Sequence, residues 1–146
     1  MSPLDYQAIC NVVAALGSLV DHRDWPGLKA LFAADVLVDY TSLFGGEPTR
    51  QSGASLVDGW AAFLPANFHA TEHLIGVPLV EVAGGHATAR AAVTAWHWVG
   101  DALAGPSERW VVGGHYHFDL VRNDERWLIS AMRLEARWQE GRPPSV

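Results

Sequence analysis

Cysteine is nearly missing from this chain, with Cys10 its only one. That excludes an intrachain disulfide, and Cys10, set among Ile9, Val12 and Val13, reads as an inert buried thiol rather than a nucleophile. Basic residues are also few: ten Lys and Arg face sixteen Asp and Glu, a formal net charge of −6, and the ten are scattered. Nucleic acid and anionic membranes both select clustered cations, so neither is expected as a partner. No run of about 18 uninterrupted apolar residues occurs, which argues against a transmembrane span. The N-terminal segment has no basic leader region, carries Asp5 early and spaces its apolar residues, so it reads as a folded helix of a cytoplasmic protein. Phosphate loops are lacking too. Gly84-Gly85-His86 and Gly113-Gly114-His115 precede no predicted helix, no GxGxxG or GKS/T pattern exists, and no Gly-x-Ser-x-Gly elbow appears. No cofactor is expected, and acid–base chemistry by side chains is what remains.

What is present suits one well-filled domain. The 146 residues are 49% hydrophobic and 18% charged, with seven Trp to supply bulky packing or pocket material. We expect a single domain over 1–140 and a flexible tail over 141–146. Tyr6, Ile9, Val13, Leu16 and Val20 recur at helical spacing, predicting a helix from Pro3 to Asp21. Asp24 and Pro26 open a short second helix with Leu28, Leu31 and Phe32 on its buried side, and Ala33-Ala34-Asp35 turns the chain. Val36 to Thr41 reads as a strand that runs into a mobile Gly45–Pro48 loop. Ser52 caps a third helix through Leu56, Val57, Trp60, Phe63 and Leu64, ended by Pro65. Strands follow at about 70–82, 86–99, 109–122 and 127–138. Helices followed by a meander predict an α+β domain: a cone-shaped α+β barrel whose N-terminal helices pack in a strongly curved mixed or antiparallel sheet.

Four polar residues stand out on four of these elements, each in apolar surroundings: Asp21, Tyr40, His73 and His97. His97 is the one polar side chain on the strand face Ala87, Ala89, Ala91, Val93, Ala95, and the small alanines leave room beside it. His73 shares an apolar face with Ile75 and needs a partner. Asp21 sits at a helix C-terminus, where the helix dipole disfavours a carboxylate unless a donor such as an imidazole compensates. A carboxylate behind a histidine fixes its tautomer, so the other ring nitrogen can take a proton at neutral pH. Tyr40 could then stabilise a developing oxyanion and His97 contact the substrate or act as an acid. Trp25, Trp60, Phe63, Phe68 and Tyr116 are candidate walls for a small apolar substrate. Each also has a plain reading as packing: Asp21 could pair with Arg23, Tyr40 could be a strand aromatic and His97 a satisfied core histidine.

The segments Asp21-His22-Arg23-Asp24-Trp25, Val38-Asp39-Tyr40, Thr71-Glu72-His73-Leu74-Ile75-Gly76, Trp127 and Arg137-Trp138 give the chain a wider resemblance. Over about residues 4–140 it resembles the SnoaL-like group of the nuclear-transport-factor-2-like superfamily, nearest in pattern to scytalone dehydratase and hexachlorocyclohexane dehydrochlorinase. The resemblance implies a cofactor-independent lyase or isomerase, dehydratase- or cyclase-like, acting on a small cyclic carbonyl or polyketide-like compound. It implies an Asp–His pair at Asp21 and His73, an activating Tyr at Tyr40 and a second His at His97. Val20 stands where the dehydratase pattern has a further Tyr.

Two alternatives remain open. His115, His117 and Asp119 share a strand face at a spacing a metal could use, but a half-exposed polar face is the commoner meaning and no metal is expected. Which face of strand 109–122 looks inward is left undecided. The domain could also bind small molecules or oligomerise without catalysis, since folds of this kind host many functions. Trp96 and Trp98, opposite His97, lead us to expect a homodimer or homotrimer through that face.

Overall fold

The computed structural model describes residues 1–145. The chain runs α1 (Pro3–Asp21), α2 (Trp25–Lys29), β1 (Phe32–Asp39), α3 (Thr41–Phe44), β2 (Thr49–Gln51) and α4 (Gly53–Asn67). It continues through β3 (Ala70–Ile75), β4 (Leu79–Ala83), β5 (His86–Trp98), β6 (Arg109–Asn123) and β7 (Arg126–Gly141). The seven strands form one curved, unclosed sheet in the order β2-β1-β7-β6-β5-β3, and β4 pairs with the other half of β5. All pairings are antiparallel except β1 with β7, so the sheet is mixed.

Local chemistry explains the long helices. Ser2 caps α1 by accepting from the Asp5 amide at 3.0 Å, Pro3 opens its first turn, and Asp5 holds the Trp127 indole N–H at 3.1 Å. By length and composition α1 could cross a membrane. Here Ile9, Val13, Leu16 and Val20 instead join Phe118, Leu120, Ile129 and Met132 in one buried cluster on the concave side of the sheet. Ser52 caps α4 as its sequence implies, accepting from the Ser55 amide at 3.0 Å.

Several expected boundaries move. Phe32 is not helical: it begins β1 and meets Trp60 edge-on at 5.9 Å, and Ala33-Ala34-Asp35 is strand, not turn. Tertiary burial of Phe32 and the Leu31 carbonyl's bond from the Ile129 amide outweigh local helical spacing. Pro65 does not end α4, which continues to Asn67. A proline that close to the helix end removes one bond in its last turn only, and the Asn67 side-chain amide donates to the Phe63 carbonyl at 2.8 Å. The expected strand 70–82 is two strands, because Gly76-Val77-Pro78 interrupts the ladder after the Gly76 amide reaches the Ala92 carbonyl. The region after Tyr40 holds a helical turn and a short strand rather than loop alone.

The alternation on β5 is as the sequence implies, with Ala87, Ala89, Ala91, Val93, Ala95 and His97 all buried. On β6 the inward face is Trp110, Val112, Tyr116, Phe118 and Leu120, while His115 and His117 are half-covered on the other side. Trp96 and Trp98 lie half-buried on that outer face.

Candidate functional site

A cavity of about 250 Å³ opens inside the cone, walled mostly by apolar side chains of α1, α3, α4 and the strands β5, β6 and β7, with His73 its one contribution from β3. Asp21, on the last turn of α1, and His73, on β3, meet at its edge. The His73 Nδ1 lies 2.8 Å from Asp21 Oδ1, with the two side chains 11% and 17% exposed. Two more donors fix the carboxylate: the His73 backbone N–H at 2.7 Å and the Thr71 hydroxyl at 2.9 Å. Three donors converging on one carboxylate offset the unfavourable helix C-terminus and leave it one orientation. A carboxylate can only accept, so Nδ1 of neutral His73 carries the proton and Nε2 keeps its lone pair for the cavity that His73 lines.

Gly17 makes this meeting geometrically feasible. A Cβ at that position would stand 3.1 Å from Ile75 Cδ1 and 3.3 Å from both His73 Cβ and the His73 carbonyl. The bare backbone therefore lets α1 approach β3 one turn before Asp21. Gly17→Val is expected to destabilise the fold by about 1–3 kcal/mol through overpacking. Chemical denaturation measures that loss, and unchanged stability would mean that α1 does not rest on β3 this closely.

His97 is the other polar group at depth, 7% exposed. Its ring sits 4.9 Å from Phe68 and 4.7 Å from Trp110, and stands nearly perpendicular to His73 at 5.9 Å. Burial pulls its pKa down to about 4; the bond to the Trp110 carbonyl opposes that shift, nearby His73 adds to it, and Asp21 opposes it weakly. The Nδ1–H donates to the Trp110 carbonyl at 2.9 Å, so Nε2 is a hydrogen-bond acceptor. At neutral pH this imidazole has no spare proton, which suits a substrate contact and not the acid role that the sequence also suggested.

Tyr40 occupies the N-cap position of α3, and its hydroxyl points towards Met132 Sδ at 4.0 Å. Burial, then the neighbouring Tyr116, hold its ionisation well above the ordinary phenol range, so it remains a donor. Tyr116 lines the same cavity and is likewise pushed up by burial. Trp60 and Phe63 also line it. Phe68 lies behind His97 instead, and Trp25 packs against the core away from the cavity.

Sequence reading missed Thr71 as the third anchor of Asp21, and Leu43 and Phe44 as cavity walls on α3. A signal for α3 was present. The Asp39 carboxylate accepts the Thr41 amide at 2.9 Å and the Thr41 hydroxyl at 2.7 Å, the local bonding that an Asp-x-Thr segment favours at a helix start. Among the described residues no group of three His, Cys, Asp or Glu is placed to hold a metal ion.

The same architecture recurs in solved structures. The Kfla4162 protein of Kribbella flavida is 27% identical, with a TM-score of 0.84 over 93% of each chain. A candidate scytalone dehydratase from Novosphingobium aromaticivorans is 18% identical, with a TM-score of 0.79 over 97% of this chain and 90% of its own. Hexachlorocyclohexane dehydrochlorinase (LinA) type 2 is 15% identical, with a TM-score of 0.74 over 97% and 95%. No protein of curated function matches the sequence. Residues 2–133 match the SnoaL-like domain model, and with the curved α+β fold now described this chain belongs to the SnoaL-like domain family, of nuclear-transport-factor-2-like fold.

Proposed function

We propose that this protein is a lyase or isomerase that removes a proton beside the carbonyl of a small, largely apolar cyclic substrate, by side-chain acid–base chemistry. The observation that carries the reading is the Asp21–His73 contact of 2.8 Å at the wall of a 250 Å³ apolar cavity. His73 Nε2 takes the proton from carbon, and Asp21 stabilises the imidazolium that forms. The electron pair moves onto the carbonyl oxygen, which Tyr40 stabilises by hydrogen bonding. In an elimination the imidazolium returns its proton to a departing hydroxyl, which leaves as water; in an isomerisation it returns it to a different carbon. His97 Nε2 orients the substrate by accepting a hydrogen bond from its hydroxyl.

Size and company support the substrate class. About 150 Å³ of dry apolar cavity suffices for benzene, so this volume accommodates a substituted ring or a compact bicycle. The dehydratase and dehydrochlorinase of the same fold carry names that describe loss of water and of hydrogen chloride. The test is incubation in D₂O with one- and two-ring ketones, with and without a β-hydroxyl. Deuterium uptake beside the carbonyl, or loss of water, is expected. Ketones that bind without either change would make this a ligand-binding domain.

A further inference from the structure

The cavity holds a second phenol for which the base–orienter pair has no use. We propose that Tyr116 on β6 is the principal oxygen-binding donor of this site, with Tyr40 at the N-cap of α3 beside it, so that a pair of phenols faces one carbonyl oxygen. The inference rests on the proton-abstraction reading above and assigns its substrate a defined polarity.

Tyr116 is 6% exposed and lines the cavity, and the only group among the described residues that bonds its hydroxyl is the Tyr40 phenol, which leaves its own proton free. Tyr40 and Tyr116 both line the cavity, and no buried side-chain nitrogen or oxygen in the described residues is left without a partner. A buried phenol whose proton has no acceptor is costly, and an incoming oxygen offsets that cost. Besides burial, which raises both, a hydrogen bond from Tyr40 lowers the pKa of Tyr116 and raises that of Tyr40, so Tyr40 is the donor of the pair; its other neighbour is the weak sulfur acceptor of Met132. Both phenols are held protonated by burial, and the Tyr116 proton has no acceptor, so Tyr116 arrives as the free donor with Tyr40 behind it.

The two imidazoles offer the opposite polarity. His73 and His97 each have Nδ1–H tied to Asp21 and to the Trp110 carbonyl, leaving two Nε2 lone pairs as acceptors. A cavity with two O–H donors and two nitrogen acceptors in apolar walls fits a cyclic ketone: its oxygen goes to the phenols, and its acidic C–H or hydroxyl goes to the imidazoles. A carboxylate or phosphate would gain the donors but face the Asp21 charge, which pairs with no Lys or Arg among the described residues.

The test uses 1-tetralone, an aryl ketone of two fused rings, and tetralin, the same skeleton without oxygen. Tyr116→Phe is expected to weaken tetralone binding about 3–10-fold, the span of one neutral hydrogen bond, while tetralin binding stays within about twofold. The infrared carbonyl stretch of bound tetralone, lowered in the wild type, should rise in the variant. Tyr40→Phe should move both readouts less. Equal loss for the two probes, an unmoved carbonyl stretch, or no tetralone binding to the wild type would each overturn the proposal. If the stretch responds to Tyr116 but no ketone exchanges deuterium, the phenol pair stands and the proton-abstraction reading falls. If exchange occurs and the stretch ignores Tyr116, only the phenol assignment falls.

Discussion

Replacing His73 by Gln will slow proton abstraction from carbon by about 10²–10⁴-fold, the usual worth of a positioned general base, while ketone binding changes little. Glutamine keeps a side-chain N–H that can reach the Asp21 carboxylate, so the bond now spanning 2.8 Å has a replacement and the fold should persist. What it lacks is a basic nitrogen facing the cavity. Asp21→Asn tests the same pair from behind. Its amide would turn an N–H towards a place where the carboxylate now accepts from the His73 backbone, the Thr71 hydroxyl and the His73 ring. One of those donors then faces another donor, and His73 is released to the tautomer that presents N–H to the cavity. The double variant should lose little more than His73→Gln alone, because the two act as one unit. Deuterium exchange rates and ketone dissociation constants for the three variants decide the matter. A His73→Gln rate within about threefold of wild type would remove the base from the mechanism.

The sequence made this pair legible because polar residues in an apolar register are costly, and the cost is visible without a structure. Asp21 at a helix end and His73 on a buried strand face each called for a partner, and their contact satisfies both. The β5 register was legible for the same reason: alternation of alanine with larger exposed residues fixes which face is buried. Where local pattern and tertiary burial disagreed, burial won. Phe32 carries helical spacing but is drawn into β1, where it packs on Trp60. Thr71 could not be assigned, since a hydroxyl on a strand face gives no sign of the carboxylate that a distant helix brings to it. The inward face of β6 was undecided for another reason. One face carries Trp110, Gly114, Tyr116 and Phe118 and the other Gly113, His115 and His117, so either set could line a pocket, and β7 shifts register opposite Gly113 and Gly114. Tyr116 was therefore read as a wall residue, while the place of its hydroxyl beside Tyr40 emerges only once β6, α3 and α1 are assembled around one cavity.

Stability will fall by roughly 3 kcal/mol between pH 6.5 and 4 on account of His97 alone. Its pKa is lowered from 6.5 to about 4 in the folded chain, mainly by burial. The unfolded chain therefore binds a proton over this interval and the folded chain does not. The contribution is complete above pH 6.5 and is lost as the pH drops towards 4. Asp21 and His73 are the titratable groups facing it, and they act on it in opposite directions, the carboxylate raising its pKa and the imidazole lowering it. Carboxylates held below their ordinary range, such as Asp39 and Glu135, add their own loss in acid. The His97 share is therefore read as a difference. His97→Gln keeps a donor for the Trp110 carbonyl but does not titrate, so urea-unfolding free energies of variant and wild type should diverge between pH 4 and 6.5 and run parallel above it. Parallel curves throughout would mean that His97 protonates in place, with water or Asp21 solvating the cation. An imidazolium beside His73 would then be available as a proton donor, and the role of His97 would revert from acceptor to acid. The pH dependence of unfolding thus distinguishes two chemistries at one residue before any substrate is known.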